Sequence, residues 1–176
     1  RGSQKRNLSG SDAPIMWNED YRHLMQGWLK GHAQAIAFIE TMFTVAHTCD
    51  DLTDRDKPVE TTTMQQAFWH ALIELPRNPF YVEHFALLNG ALQIAFLNWE
   101  VANRLEQMDK PNAKEVAFIL RSSYTDLVTL CAWIIGGHDW AIEVGTASRL
   151  RASHEGFAVY QARLAQEQRA VHVGGD

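Results

Sequence analysis

Apolar residues recur three and four positions apart along nearly the whole chain, and no stretch alternates apolar and polar residues as a half-buried strand would. That periodicity predicts an all-α fold. Trp17 to about Asp54 reads as one or two helices broken near Gly27 and Gly31, with Ala33, Ile36, Ala37, Phe38, Met42, Phe43, Val45, Ala46 and Cys49 at helical spacing. Pro58 ends that segment, since proline cannot continue a helix interior. Thr61–Thr63 offer N-caps for the next helix, and Asn78-Pro79 supplies a cap followed by proline in the first turn. A helix from about Phe80 to Met108 is apolar on most sides, which predicts a central position. Lys110-Pro111-Asn112 separates it from a helix over about Ala113–Ile135. Gly136-Gly137 reads as a C-cap, and Asp139 as the cap of a last helix reaching about Gln168. The expectation is a single-domain bundle of five or six helices over residues 14–170. Residues 1–13 form a polar N-terminal arm with the look of an expression leader, and residues 171–176 a frayed tail.

Composition narrows the function classes. The net charge of -5 argues against a general nucleic-acid binder, which needs a basic surface. The longest apolar run, Ala86 to Leu97, is too short and too interrupted by Asn89 and Gln93 to span a bilayer, so no membrane span is expected. Cys49 and Cys131 lie in apolar helical runs without metal-type spacing, which reads as two reduced, buried thiols in a cytoplasmic setting.

The chemically distinctive stretch is His47-Thr-Cys-Asp50-Asp51-Leu-Thr-Asp54-Arg-Asp56. Asp50 and Asp54 stand at i and i+4, Asp51 and Asp54 at i and i+3, so a helix would set these carboxylates on one face with Cβ atoms about 5–6 Å apart. Their place near a helix C-terminus adds an unfavourable macrodipole to their mutual repulsion. A divalent cation, Mg²⁺ or Mn²⁺, would offset that charge, and His47 and Glu40 lie one and three turns back along the same column. The bland alternative is a solvated turn in which Arg55 and Lys57 supply the countercharge. The segment 47–58 resembles the first aspartate-rich motif of the class I isoprenyl diphosphate synthases. The resemblance implies an all-α bundle in which Asp50, Asp51 and Asp54 hold Mg²⁺ against a diphosphate. It covers about twelve residues. The family's second acidic motif is absent from this sequence, as are the paired arginines expected after the first.

Glu100 is the other residue of interest, a carboxylate in the middle of an apolar helix and a candidate to face the aspartates or a phosphorylated ligand alongside Arg55 and Lys57. The end of that helix, Arg104 to Lys110, reads as solvated. His138-Asp139 lacks the further ligands that a metal-dependent phosphohydrolase needs. Neither Glu83-His84 nor His154-Glu155 has the Glu-x-x-His spacing of a di-iron bundle. Two functional expectations follow. One is a non-catalytic helical interaction or assembly protein, a homo-oligomer or the binder of a protein partner. The other is a Mg²⁺-dependent enzyme or pocket for a phosphorylated small molecule built on Asp50, Asp51 and Asp54.

Overall fold

The structure is a computed structural model; it describes residues 19–54, 58–153 and 156–173, apart from the side chains of Asp54 and residues 167–173. The fold is all-α. Eight α-helices are found among the described residues, against an expectation of five or six: α1 (Glu19–Trp28), α2 (Ala33–Asp54), α3 (Thr61–Trp69), α4 (Pro79–Glu83), α5 (Phe85–Glu106), α6 (Ala113–Arg121), α7 (Tyr124–Ala152) and α8 (Phe157–Val173). A π-helical segment, His70–Glu74, and a 3₁₀ turn, Leu75–Arg77, join α3 to α4.

Local chemistry accounts for the breaks. Lys30 and Gly31 both take positive φ, which separates α1 from α2. The Asn78 side chain accepts a 3.0 Å bond from the Tyr81 backbone N–H, and Pro79 occupies the first turn as expected. Two interruptions carry no Pro or Gly signal. His84 separates α4 from α5, and the Ser122-Ser123 pair ends α6 with both hydroxyls donating back to carbonyls three residues earlier. The backbone of α7 is broken at Gly137 (φ 80, ψ -172), a conformation open only to glycine, so it behaves as two helices meeting at the predicted glycine stop. Gly156, at φ +74, divides the expected last helix and starts α8.

The core lies between α1, α2, α4, α5 and α7. Met25, Leu29, Phe38, Leu88, Val128, Cys131 and Val144 are its largest fully buried side chains. Phe38 stacks on Tyr81 with ring centroids 5.6 Å apart. Trp140 donates its indole N–H to the Trp28 carbonyl, and Gly136 leaves room for that ring, since a Cβ there would lie 2.4 Å from it. By length and composition α7 is apolar enough to cross a membrane, with a third of that window buried; its buried residues supply much of this core. A smaller cluster, Phe118, Phe157 and Tyr160, pins α8 to α6.

The expected central helix is not enclosed. Leu88 and Ala102 of α5 are buried, but Leu87, Ile94, Phe96, Leu97 and Val101 are exposed. One side of α5 packs inward while the other carries exposed apolar side chains.

Candidate functional site

The carboxyl end of α2 brings Asp50 toward α5 and α6. Its position follows from register: Ile36, Ile39, Phe43, His47 and Asp50 succeed one another at steps of three and four, and the first three are core residues. Asp50 is the polar end of a buried strip rather than part of an outward acidic face. Its Oδ1 accepts the Trp99 indole N–H at 2.9 Å and a guanidinium N–H of Arg121 at 2.6 Å.

Arg121 is the hub. Its Nε and Nη2 donate to the two oxygens of Glu106 at 2.8 and 2.6 Å, a bidentate fork, while Nη1 is given to Asp50. The Tyr160 hydroxyl donates to the same Glu106 carboxylate. The side chains become more enclosed along this chain of contacts: Asp50 is 38% exposed, Arg121 22% and Glu106 5%. The network joins α2, α5, α6 and α8. Burial and the neighbouring Glu106 carboxylate push the Tyr160 phenol well above its ordinary value, so it stays a neutral donor.

Glu106 was not a candidate from sequence, and the expectation that Arg104–Lys110 is uniformly solvated fails at this residue. Sequence did hold a signal for it: Leu88, Ala95, Trp99, Ala102 and Glu106 are spaced 7, 4, 3 and 4 apart, so Glu106 continues the inward strip of α5. Glu100, the acid singled out in the sequence, is exposed; its neighbour Trp99 makes the contact with Asp50. Glu40 forms an ion pair with Arg22 at 2.8 Å, and His47 packs against Phe43 with ring centroids 4.3 Å apart. Asp51 is half-buried on the last turns of α2. The Asp54 side chain, Arg55 and Lys57 lie outside the described residues.

This arrangement can hold helices together. The Nε, Nη1 and Nη2 atoms of Arg121 each donate to a carboxylate, so its charge is already paired within the fold. Among the described residues, no group of three or more His, Cys, Asp or Glu side chains is placed to hold a metal ion. A groove of about 360 Å³ lies elsewhere, between α2 and the π-helical segment, lined by Gln34, Thr41, Trp69, Glu74 and Arg77 among others. There His70 Nδ1 lies 2.6 Å from Glu74, which also accepts the Trp69 indole N–H at 3.2 Å.

The second distinctive surface is the outer side of the α5–α6 hairpin. Helix geometry sets Ile94, Leu97 and Val101 opposite the inward-facing Trp99 and Glu106, and sets Val116 and Ile119 of α6 opposite Phe118 and Arg121. Because α5 and α6 are antiparallel neighbours with a common inner side, these five apolar side chains share a common outer side, and all are exposed. No family model matches the chain, and neither any curated protein nor any solved structure matches it.

Proposed function

We propose that this chain is a non-catalytic assembly protein that self-associates through the outer face of α5 and α6. The observation that carries the reading is the exposure of Leu87, Ile94, Leu97 and Val101 at helical spacing on one helix, together with that of Val116 and Ile119 on its neighbour. Single exposed apolar residues are ordinary on any protein, but several clustered on one helix face suit an interaction surface. Full burial of such a side chain contributes about 1.5–3 kcal/mol, and these are each roughly half exposed, so about 1 kcal/mol per side chain is still to be gained by covering them. Phe68 and Leu72, at i and i+4 and 65% and 68% exposed, form a second apolar point remote in sequence from the first. Multiple such points suit a subunit in an assembly.

The Asp50–Arg121–Glu106–Tyr160 network then has a structural role. It clamps the inner side of the α5–α6 hairpin to α2 and α8, fixing the platform whose outer side is offered for contact. Size-exclusion chromatography with light scattering tests the reading. The wild type is expected above the mass of one chain, and Ile94→Glu is expected at the mass of one chain with an unchanged far-UV spectrum. A wild type that stays monomeric at 100 μM concentration, roughly the range in which a Kd of about 10⁻⁵ M would be seen, would overturn it.

A further inference from the structure

The groove between α2 and the π-helical segment holds polar groups that the fold itself does not use. Gln34, Ala37 and Thr41 line one side, and Trp69, Ile73 and Arg77 the other. Each row steps by three or four residues, so each is one stripe of a helix. The Asn78 side-chain amide donates to the Gln34 carbonyl at 2.9 Å, which fixes how the rows meet. Arg77 lies at the Gln34 end, Ile73 beside Ala37 in the middle, and Trp69 at the Thr41 end. Two turns of α2 separate the ends, about 10 Å by the rise of a helix.

We propose that this groove binds a small hydroxyaryl carboxylate, independently of any self-association. The carboxylate pairs with Arg77, the apolar body lies over Ala37 and Ile73 with its ring against Trp69, and the hydroxyl meets Thr41. The volume of about 360 Å³ suits such a molecule, since small-ligand sites span about 300–1,000 Å³.

Thr41 supplies the first argument. Thr44, Thr48 and Thr53 of the same helix each donate to the carbonyl four residues back, the usual resort of a helical hydroxyl. Thr41 is 8% exposed and lines the groove, yet its hydroxyl has no hydrogen-bond partner among the described residues. An enclosed hydroxyl left so is costly, and a ligand hydroxyl would satisfy it.

Charge supplies the second. Glu74 stands three residues before Arg77 and would be its ordinary helical partner. The π turn His70–Glu74 instead directs that carboxylate backward, to His70 Nδ1 at 2.6 Å and the Trp69 indole N–H at 3.2 Å. Such turns recur at functional sites. Arg77 is exposed and has no ion pair among the described residues, so its guanidinium fork is open to a carboxylate. Glu74, turned toward Trp69, repels an anion from that end, which sets the direction of the ligand.

Trp69 supplies the third. It is 56% exposed, yet its indole N–H is tied to Glu74. A large ring held in place with a face open to the groove is a stacking surface for a second aromatic ring.

Isothermal titration calorimetry of the full chain with p-hydroxyphenylpropanoate tests the proposal. Saturable binding is expected with a Kd of about 10⁻⁴ M or tighter. Arg77→Gln, at an exposed position, should weaken it at least about tenfold, as expected for loss of a bond to a charged group. The methyl ester of the probe, which lacks the charge, should bind both proteins equally weakly. Thr41→Val should weaken the probe about two- to tenfold and leave phenylpropanoate, which lacks the hydroxyl, bound as in the wild type. That unchanged affinity also shows that the variant keeps its groove. No saturable binding up to roughly 5 mM probe would overturn the proposal. So would an Arg77→Gln variant that binds as the wild type does, or a Thr41→Val variant that weakens both acids alike.

Discussion

Replacing Arg121 by methionine deletes the guanidinium and keeps most of the aliphatic stem. Glu106 loses its bidentate partner and Asp50 loses its 2.6 Å bond, while Glu106 stays 5% exposed and cannot recover its hydration. Removing one member of a buried ion pair costs about 3–5 kcal/mol because the remaining charge is stranded. The 22% exposure of Arg121 admits some water, which places the expected loss near the lower end, about 3 kcal/mol. For a chain of this size that lowers Tm by roughly 6–12 °C. Urea unfolding at a fixed protein concentration measures it as a lower midpoint with an unchanged slope. The triple variant Arg121→Met, Glu106→Leu, Tyr160→Phe removes the charge and its donors together, and should recover most of the loss, since apolar replacement of a whole buried pair is commonly neutral or stabilising. Glu100→Gln is the control, with a change within about 0.5 kcal/mol for an exposed site. An Arg121→Met variant within about 1 kcal/mol of wild type would refute the claim that this network clamps the hairpin.

With Arg121 already neutralising Asp50, millimolar Mg²⁺ or Mn²⁺ is expected to leave the melting temperature of the wild type unchanged; a rise that disappears in Asp50→Ala would instead establish a metal site, since a ligand of the native state must stabilise it. Burial raises the ionisation of Tyr21, Tyr124, Tyr160 and Cys131 above their ordinary values. The unfolded chain therefore ionises first: their contribution to stability is complete below about pH 8.5 and declines as pH rises through about 9–10 and beyond, which urea midpoints from pH 7 to 10.5 would show as a monotonic fall. Gly137→Ala forces a side chain into φ 80, ψ -172 and should cost about 1–3 kcal/mol, whereas Gly90→Ala should raise the stability of the monomer by up to about 1 kcal/mol, both read from thermal melts. In the native state Cys131 should react with a thiol reagent at pH 8 far more slowly than Cys49, which is only half-buried; equal rates would mean that the α7 core opens readily.

Periodicity was enough to establish the helical class, because burial of one helical stripe leaves its mark every three or four residues. The breaks at Gly31, Asn78-Pro79 and Gly137 were legible because each rests on a residue with special backbone chemistry. Those at His84 and Ser122-Ser123 were not, since these residues can continue a helix and only tertiary packing decides that they do not. The site shows the same division. The aspartate cluster was evident as a local electrostatic problem, and its position at the end of α2 is as expected. For Asp50, part of the answer lies 71 residues away in Arg121, and no local spacing can announce a partner at that distance. Glu106 was discounted because its neighbours in sequence are polar, although its register with Leu88, Trp99 and Ala102 pointed inward. The outward apolar stripe of α5 was visible as hydrophobicity on all sides. Sequence alone could not distinguish a helix enclosed by its own chain from one whose second face is exposed.

Self-association is read by sedimentation velocity over a hundredfold range of protein concentration. The wild type is expected to shift with concentration from the mass of one chain to a higher mass. Ile94→Glu should sediment as one chain at every concentration while its melting temperature, measured where the wild type is also monomeric, stays within about 2 °C, because the substituted side chain is exposed in the isolated fold. A wild type that remains a single chain throughout, or an Ile94→Glu variant that associates as the wild type does, would contradict it.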